Sequence, residues 1–244
     1  MKIKSWLFDV DGTLTPSRKP MTPAFREWFL KFAKHNEVHL VTGSDYPKTL
    51  EQVGPEILRE VATVFNCMGN SVWRNGVEIR HQAFDLPEAA EAFLNGWLEA
   101  SDYPHRCGQH IERRPGLVNF SVVGRGAETE KRDHYFQWDK QSNERVLLAL
   151  AFEAQFPGIA CQIAGETGVD IFPVGRDKSQ VLNDQQVSGP AGFFGDRIQP
   201  GGNDYSLAMA VEACGGLAHP VTSWEQTWET LQQYESIGWL HMPR

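Results

Sequence analysis

The feature that most constrains this 244-residue chain lies near its beginning, where an apolar run leads directly into a pair of acids. Residues 3–8 end in uninterrupted apolar side chains, which is typical of a strand buried on both faces of a parallel sheet. Asp9 and Asp11 follow at once, and unpaired carboxylates are costly to bury in a core. Ligands of open α/β sheets bind at the carboxyl ends of the strands. The pattern therefore predicts a functional site at the end of this strand.

Asp9 and Asp11, one residue apart at the end of a strand, suit phosphoryl transfer. One carboxylate can attack phosphorus, while its neighbour gives a proton to the leaving oxygen and later removes one from the acceptor. A hard divalent cation, most simply Mg²⁺, allows two acids and a phosphate to share one site. Gly12 lets the chain leave the strand sharply, and we expect the amides of Gly12 and Thr13 to be free to bind an oxyanion. The alternative is an exposed turn, in which Asp-Gly is only turn chemistry.

Residues 8–15 resemble the first motif of the haloacid dehalogenase superfamily of phosphotransferases, and residues 16–18 resemble the continuation found in its eukaryotic-type phosphomannomutases. The resemblance implies that Asp9 becomes the aspartyl phosphate and that Asp11 is the acid and base. It also implies an α/β fold, in which a Rossmann-like parallel-sheet core carries an inserted α+β cap. Arg18 matches a substrate-binding arginine of the family.

The order of predicted elements indicates where the cap begins and ends. A buried strand is expected at residues 37–41, and Asn75-Gly76 between two apolar segments indicates a hairpin. After residue 80 helices alternate with antiparallel-looking strands, including a helix at 143–156. We therefore predict a catalytic core over residues 1–80 and 175–244 and a cap over residues 81–174. The end of the chain, residues 237–244, shows no clear pattern.

Three further strand ends carry polar residues that suit the same chemistry. The hydroxyls of Thr42 and Ser44 follow the second strand and resemble the second motif of the superfamily, whose hydroxyls donate to phosphate. Lys178 opens a helix and would neutralise the nucleophile and the phosphate, although most lysines at such positions are solvated. Asp196 follows an apolar strand, and Asp204 lies nearby for the metal or for the lysine. The predicted metal ligands are Asp9, Asp11 and Asp196.

Arginines recur in the predicted cap. A single arginine in an acidic protein is usually solvated. The spacing of these residues, however, resembles the phosphomannomutase cap, where three arginines and an asparagine bind the sugar phosphate. The resemblance assigns these roles to Arg114, Asn119, Arg125 and Arg132. It also implies that Asp170 reaches sugar hydroxyls and that Gly168 stands where the family usually has serine. Guanidinium groups suit phosphate because they donate paired, charge-assisted hydrogen bonds.

Composition limits the class of partner and the cellular compartment. A hydrophobic fraction of 41% indicates a folded protein, and a net charge of −8 disfavours nucleic acid or an anionic membrane as partner. No stretch approaches the roughly 20 apolar residues that span a bilayer. The four cysteines lie far apart, which suggests neither a zinc site nor a disulfide framework. The first strand leaves no room for a signal peptide, so we expect a cytoplasmic protein.

Together with these patterns, the family resemblance implies a magnesium-dependent phosphohexomutase that interconverts mannose 1-phosphate and mannose 6-phosphate, with glucose phosphates left open. A hexose 1,6-bisphosphate would be its primer, and the family resemblance suggests a homodimer formed through the cap. The main alternative is a sugar-phosphate phosphatase, favoured by Thr42, Gly168 and the apolar residues 67–68, where the family usually has a polar pair. A non-catalytic phosphosugar-binding protein ranks last, because every acid that the chemistry needs is present.

Overall fold

A computed structural model describes residues 3–238 and residue 240. Most of the segment 237–244, which shows no clear sequence pattern, lies outside the described residues. The chain divides into two units, one formed by residues 1–81 and 175–244 and the other by residues 82–174. That residues 81–174 act as a cap stays a prediction.

In chain order the elements are β1 (Ser5–Phe8), α1 (Pro23–His35), β2 (Glu37–Val41), α2 (Tyr46–Val53), α3 (Pro55–Glu60), β3 (Thr63–Asn66), β4 (Ser71–Arg74), β5 (Val77–His81), α4 (Glu88–Ala100), β6 (Gln109–Arg114), β7 (Leu117–Arg125), α5 (Thr129–Ser142), α6 (Glu144–Gln155), β8 (Ile159–Ala164), β9 (Gly168–Pro173), β10 (Ala191–Gly195), α7 (Tyr205–Ala213), β11 (Leu217–Pro220) and α8 (Trp224–Ser236).

The first unit is built on a seven-stranded sheet in the order β11-β10-β1-β2-β3-β4-β5. The five strands from β11 to β3 are parallel, whereas β4 and β5 form an antiparallel hairpin. Its turn is formed by Asn75 and Gly76, which have φ values of 50° and 75°. Positive φ at both positions is what a two-residue hairpin turn requires, so the Asn-Gly prediction is confirmed.

Strand β1 lies inside the sheet, between β10 and β2, and its side chains are buried on both faces. Phe8 packs against Phe29 of α1 at a ring-centroid distance of 5.2 Å, within a cluster that also includes residues of α3 and α8. Leu7 points to the opposite face, where it joins Val181 and residues of α7. Alternate side chains of a strand point to opposite faces, so helices must cover both. The sheet therefore has the doubly wound architecture that the sequence predicts, and the predicted fold class is confirmed.

The second unit is an antiparallel sheet in the order β6-β7-β9-β8, with α4, α5 and α6 packed against it. The helix predicted at residues 143–156 is α6, which starts one residue later and is preceded by α5. The two helices are separated at Asn143, which adopts a left-handed φ of 54°. Helix α5 is polar and has only two buried residues, so its sequence lacks the apolar stripe that reveals α6. None of the helices in the described residues is long and apolar enough to cross a membrane.

Candidate active site

The strand register brings the predicted core residues to one edge of the seven-stranded sheet. Phe8 pairs with Phe194 on one side and with Leu40 on the other. The amide of Asp9 donates to the carbonyl of Phe194 at 2.9 Å, just before that strand reaches Asp196. Because β1, β2 and β10 are parallel and in register, their carboxyl ends lie side by side. This places the acids of the first motif beside the acid that follows β10.

Lys178 lies at the centre of the site. It begins a short 3-10 helix, Lys178–Asn183, and is fully buried. Its Nζ donates to Oδ1 of Asp9 at 2.5 Å and to Oδ1 of Asp204 at 2.6 Å. Burial alone would lower the pKa of Lys178, but the carboxylates of Asp204 and Asp9 outweigh burial and raise it. The lysine is therefore a permanent cation that joins the first motif to the loop before α7.

Three carboxylates converge on this lysine. One oxygen from each of Asp9, Asp196 and Asp204 lies within 4.8 Å of the other two. Burial raises the pKa of Asp9, and Asp204 and Asp196 raise it further against the opposing effect of Lys178. Burial and the neighbouring Asp204 raise the pKa of Asp196 to about 6. Even with Lys178 and the Arg197 guanidinium, whose Nε lies 4.0 Å from Oδ2 of Asp196, the three carboxylates leave a negative charge uncompensated. A divalent cation with oxygen ligands would balance it. The residues present therefore fit a site for Mg²⁺.

The turn after β1 corrects one expectation. The amide of Gly12 donates to the carbonyl of Thr15 at 2.9 Å, and the amide of Thr13 donates to the carbonyl of Val10 at 3.3 Å. Neither amide is free, because the chain closes into a tight turn directly after the strand. Gly12 has a φ of +82°, and a Cβ there would lie 2.7 Å from Oδ2 of Asp196. The glycine is thus required for the turn and for the close approach of the Asp196 carboxylate.

Asp11 has a different environment from Asp9. Its carboxylate is not part of the three-carboxylate group found among the described residues. Its Oδ1 instead accepts hydrogen bonds from the amide of Arg18 at 2.7 Å and from Nε2 of Gln52 at 2.8 Å. The structure thus brings Asp204, rather than the Asp11 carboxylate, to the other two acids. Gln52 was missed by sequence analysis because its contact with Asp11 spans 41 positions and α2 was not predicted.

The loop after β2 is tied to the segment after β3. Thr42 is buried, and its Oγ1 accepts from the amide of Ser44 at 3.1 Å. The carbonyl of Ser44 accepts from the amide of Cys67 at 3.0 Å, and that of Thr42 accepts from the amide of Met68 at 2.8 Å. Cys67 and Met68 both have positive φ, at 47° and 60°. The backbone of residues 67–68 therefore supports the predicted phosphate loop, together with Nδ2 of Asn66, which donates to the carbonyl of Ser44 at 3.0 Å.

Four of the predicted substrate residues of the second unit lie on its sheet strands and are joined by contacts there: Arg114, Asn119, Arg125 and Asp170. Glu112 pairs with Asn119 across β6 and β7, and Asn119 pairs with Asp170 across β7 and β9. Residues directly opposite in antiparallel strands share a face. Asn119 donates to Asp170 at 2.7 Å, while Arg114 and Arg125 both donate to Oε2 of Glu112. Sequence analysis missed Glu112, the carboxylate that joins two of the predicted arginines.

Two other predicted substrate residues differ in how they are held. A Cβ at Gly168 would lie 2.9 Å from Nδ2 of Asn119, so the missing side chain is what lets the asparagine lie against β9. Arg132 is largely buried, and its Nη2 has no hydrogen-bond partner among the described residues. Its nearest carboxylate, Glu166, is 3.9 Å away. Burial lowers the pKa of this guanidinium, and an anionic ligand would relieve that cost.

Comparison with solved structures shows which known proteins share this fold. Its fold is similar to that of a haloacid dehalogenase-like hydrolase from Bacteroides thetaiotaomicron, with a TM-score of 0.60, 13% identity, and coverage of 95% of this chain and 99% of that one. It is also similar to a trehalose-6-phosphate phosphatase related protein, with a TM-score of 0.55, 16% identity, and coverage of 96% and 98%. These likenesses concern the fold. The chain therefore has the same kind of fold as these proteins, with acids at the carboxyl ends of its parallel strands.

Sequence comparison shows the family to which the chain belongs. The family model for eukaryotic phosphomannomutase matches residues 25–236. The chain is 34% identical over 237 residues to a phosphomannomutase of Saccharomyces cerevisiae, covering 93% of this chain and 92% of that one. It is 31% identical over 244 residues to a phosphomannomutase of Schizosaccharomyces pombe, covering 95% and 94%. The chain belongs to the eukaryotic phosphomannomutase family, a family of enzymes.

Proposed function

We propose that this protein is a magnesium-dependent phosphohexomutase that interconverts mannose 1-phosphate and mannose 6-phosphate, with Asp9 as the phosphorylated residue and a hexose 1,6-bisphosphate as primer. The observation that carries the proposal is the bridge made by Lys178 between Asp9 and Asp204, beside Asp196. With Mg²⁺ bound by these acids, the buried ammonium and the ion would together supply the positive charge that a phosphoryl group on Asp9 requires. Family membership supports the mutase class.

The Mg²⁺ ligands in this proposal are the carboxylates of Asp9, Asp196 and Asp204, in place of the sequence-based set of Asp9, Asp11 and Asp196. When bound, the ion would neutralise charge on the phosphoryl group and between the acids. Lys178 holds Asp9 in place and adds a positive charge that the ion does not supply. Removal of divalent cations with a chelator should abolish turnover, and added Mg²⁺ should restore it.

The phosphoryl group moves in two matched steps. An oxygen of Asp9 attacks phosphorus while the bond from phosphorus to the sugar oxygen breaks, and that oxygen takes a proton from Asp11. In the return step Asp11 removes the proton from a sugar hydroxyl, which then attacks the aspartyl phosphate. Turnover starts from phosphorylated Asp9, so the transfer to the sugar hydroxyl comes first and converts the hexose monophosphate into a bisphosphate, whose other phosphate then returns to Asp9. Thr42 and Ser44 are the proposed hydroxyl ligands of the phosphate.

The second unit supplies anion ligands that a mutase needs and a simple phosphatase does not. A hexose bisphosphate carries two phosphates, of which only one is transferred at a time. We propose that Arg114, Arg125 and Arg132 bind the other phosphate and that Asn119 and Asp170 contact the sugar. Arg18 is the proposed substrate ligand in the first unit. Oligomerisation is proposed as a homodimer formed through the second unit.

The test is an assay with mannose 1-phosphate or glucose 1-phosphate, Mg²⁺ and catalytic glucose 1,6-bisphosphate, in which hexose 6-phosphate and free phosphate are measured in parallel. We expect the 6-phosphate to form only when the primer is present, with mannose preferred. Asp9→Asn should abolish the reaction while leaving the thermal unfolding transition in place. Formation of free phosphate without an isomerised sugar would instead select the phosphatase alternative.

A further inference from the structure

Asp11 is held by two N–H donors that converge on the same carboxylate oxygen. Nε2 of Gln52 and the backbone amide of Arg18 lie 2.8 Å and 2.7 Å from Oδ1. We propose that Gln52 is a positioning residue for proton transfer, which keeps Oδ1 of Asp11 as an acceptor and thereby leaves Oδ2 to exchange the proton with the sugar oxygen. This inference rests on the proposed function, in which Asp11 is the acid and base.

The burial and hydrogen bonds of Gln52 indicate that the role of its carboxamide is to bind Asp11. The residue is fully buried in α2, and its carbonyl accepts from the amide of Met21 at 2.7 Å, which fixes the backbone. Its Nε2 also lies 3.2 Å from Oγ1 of Thr15, whereas its Oε1 has no hydrogen-bond partner in the described part of the chain. Burying an unsatisfied amide oxygen is costly, so packing alone would favour an apolar residue.

The orientation of this carboxamide follows from charge. Turned around, it would place Oε1 of Gln52 against a carboxylate oxygen of Asp11, and two acceptors repel each other. The amide nitrogen is therefore the atom that faces the acid. A hydrogen bond from N–H to a carboxylate is stronger than one between neutral groups. This gain offsets the unsatisfied oxygen on the other side of the amide.

The second donor shows that the arrangement depends on more than one element. Arg18 lies in the loop before α1 and has a φ of +59°, which is uncommon for a residue with a side chain. In this conformation its amide donates to Asp11. The donors come from a loop and from a helix 34 positions apart, and both reach the same oxygen atom. Packing of the turn alone does not require two donors from different elements to reach one oxygen of Asp11.

Proton transfer explains what the arrangement achieves. As the bond between an Asp9 oxygen and phosphorus forms, the bond from phosphorus to the sugar oxygen breaks, and the electron pair left on that oxygen takes the proton from Oδ2 of Asp11. Asp11 is then a carboxylate, whose Oδ1 keeps its two donors. In the reverse direction Oδ2 takes a proton from the acceptor hydroxyl. Gln52 should therefore matter only when the leaving oxygen needs a proton.

This dependence gives a direct experiment. Gln52→Met removes the donor while keeping a similar volume. Single-turnover phosphorylation of Asp9 is measured with glucose 1,6-bisphosphate and with acetyl phosphate, whose acetate leaves without a proton. We expect the variant to react roughly 10- to 100-fold more slowly with the bisphosphate, which is the worth of a hydrogen bond to a charged group. With acetyl phosphate we expect less than about a threefold change.

Controls separate positioning from folding. Gln180→Met removes another amide donor of the first unit, which bonds the backbone carbonyls of Met68 and Arg176, and it should affect both phosphoryl donors alike. In an Asp11→Asn background, Gln52→Met should cause no further loss with the bisphosphate. Gln52→Asn, which shortens the side chain, replaces the methionine variant if that variant fails to show a cooperative unfolding transition.

Three results would overturn the inference: equal losses with the two donors, an unchanged rate with the bisphosphate, or a further loss in the Asp11→Asn background. The last comparison uses the bisphosphate alone, so it decides the matter even if acetyl phosphate does not phosphorylate the enzyme. Failure of the unmodified protein to become phosphorylated by either donor would instead contradict the proposed function. The two proposals therefore fail in different ways.

Discussion

Lys178 is an ammonium group enclosed by carboxylates, so its removal should be costly before any question of catalysis arises. In Lys178→Met the carboxylates of Asp9 and Asp204 would remain buried without their counter-charge. We expect the free energy of unfolding to fall by about 3–5 kcal/mol in metal-free buffer, measured by urea denaturation. Asp204→Asn in the same chain should restore part of the loss, because one uncompensated charge is removed. A loss below about 1 kcal/mol would contradict the ion-pair description.

His219 is a buried titratable group that makes stability depend on pH. Its ring stacks on Phe194 at 4.4 Å, and its Nε2 has no partner among the described residues. Burial lowers the pKa of His219 from its ordinary 6.5 to about 4. Between these values the unfolded chain binds the extra proton, so stability is lost as the pH falls from 6.5 towards 4.

The expected contribution of His219 is roughly 1–2 kcal/mol between pH 7 and pH 5. His219→Phe keeps an aromatic ring and removes the titrating group. Its free energy of unfolding, measured by urea denaturation at several pH values, should therefore fall less steeply with acid than that of the unmodified protein. Burial also lowers the pKa of His39, but that contribution is common to both proteins. Parallel curves for the two proteins would refute the assignment.

At the scale of elements, predictions succeeded where a local pattern determined the structure. Apolar runs identified β1, β2 and β10, and Asn75-Gly76 identified the hairpin, because these signals depend on neighbouring residues. The helices α2 and α3 were not predicted, because eight and six residues are too few for an apolar repeat to stand out, and the polar helix α5 has no apolar stripe. Gln52 and Glu112 were missed for a related reason, since a single glutamine or glutamate carries no sign of its partner until the fold brings the two together.

Strand β7 offers an element-scale prediction around Arg125. Gly124 and Gly126 flank this arginine and both have positive φ, at +84° and +91°. A Cβ at Gly124 would lie 1.8 Å from the carbonyl oxygen of Cys107, whereas one at Gly126 would meet no heavy atom within 4 Å. Gly126→Ala should therefore cost only backbone strain, about 1 kcal/mol. Gly124→Ala must in addition push two backbone segments apart.

Thermal and urea denaturation of the two alanine variants measure this difference directly. We expect Gly124→Ala to lose at least about 2 kcal/mol more than Gly126→Ala, because a backbone carbonyl cannot rotate away as a side chain can. The displacement should also weaken phosphosugar binding, since Arg125 is the next residue. Equal losses in the two variants would show that strand pairing near Cys107 is loose enough to absorb a methyl group.

For the whole molecule, the two units divide the chemistry unequally. All the carboxylates of the three-acid group belong to the first unit. The arginines linked by Glu112 belong to the second unit. Sugar specificity should therefore respond to changes in the second unit, and phosphoryl transfer to a small donor should respond to changes in the first.

The proposed homodimer also concerns the whole molecule. Helix α6 buries Leu148 and Phe152 but exposes Leu147 and Leu150, which are 53% and 62% accessible. Exposed leucines next to one another on a helix favour contact with another surface. We expect sedimentation to give twice the mass of the 27.5 kDa chain. Leu147→Glu combined with Leu150→Glu should halve that mass, because each carboxylate would have to be desolvated in the interface.

The matched control for this dissociation is Val77→Glu combined with Ile79→Glu. These residues are 62% and 49% accessible and lie on the edge strand β5 of the first unit. The control should sediment like the unmodified protein, since the proposed interface lies in the second unit. Dissociation by the β5 pair, with no effect of the α6 pair, would move the interface to the first unit. A monomeric unmodified protein would leave the leucines of α6 as ordinary surface residues.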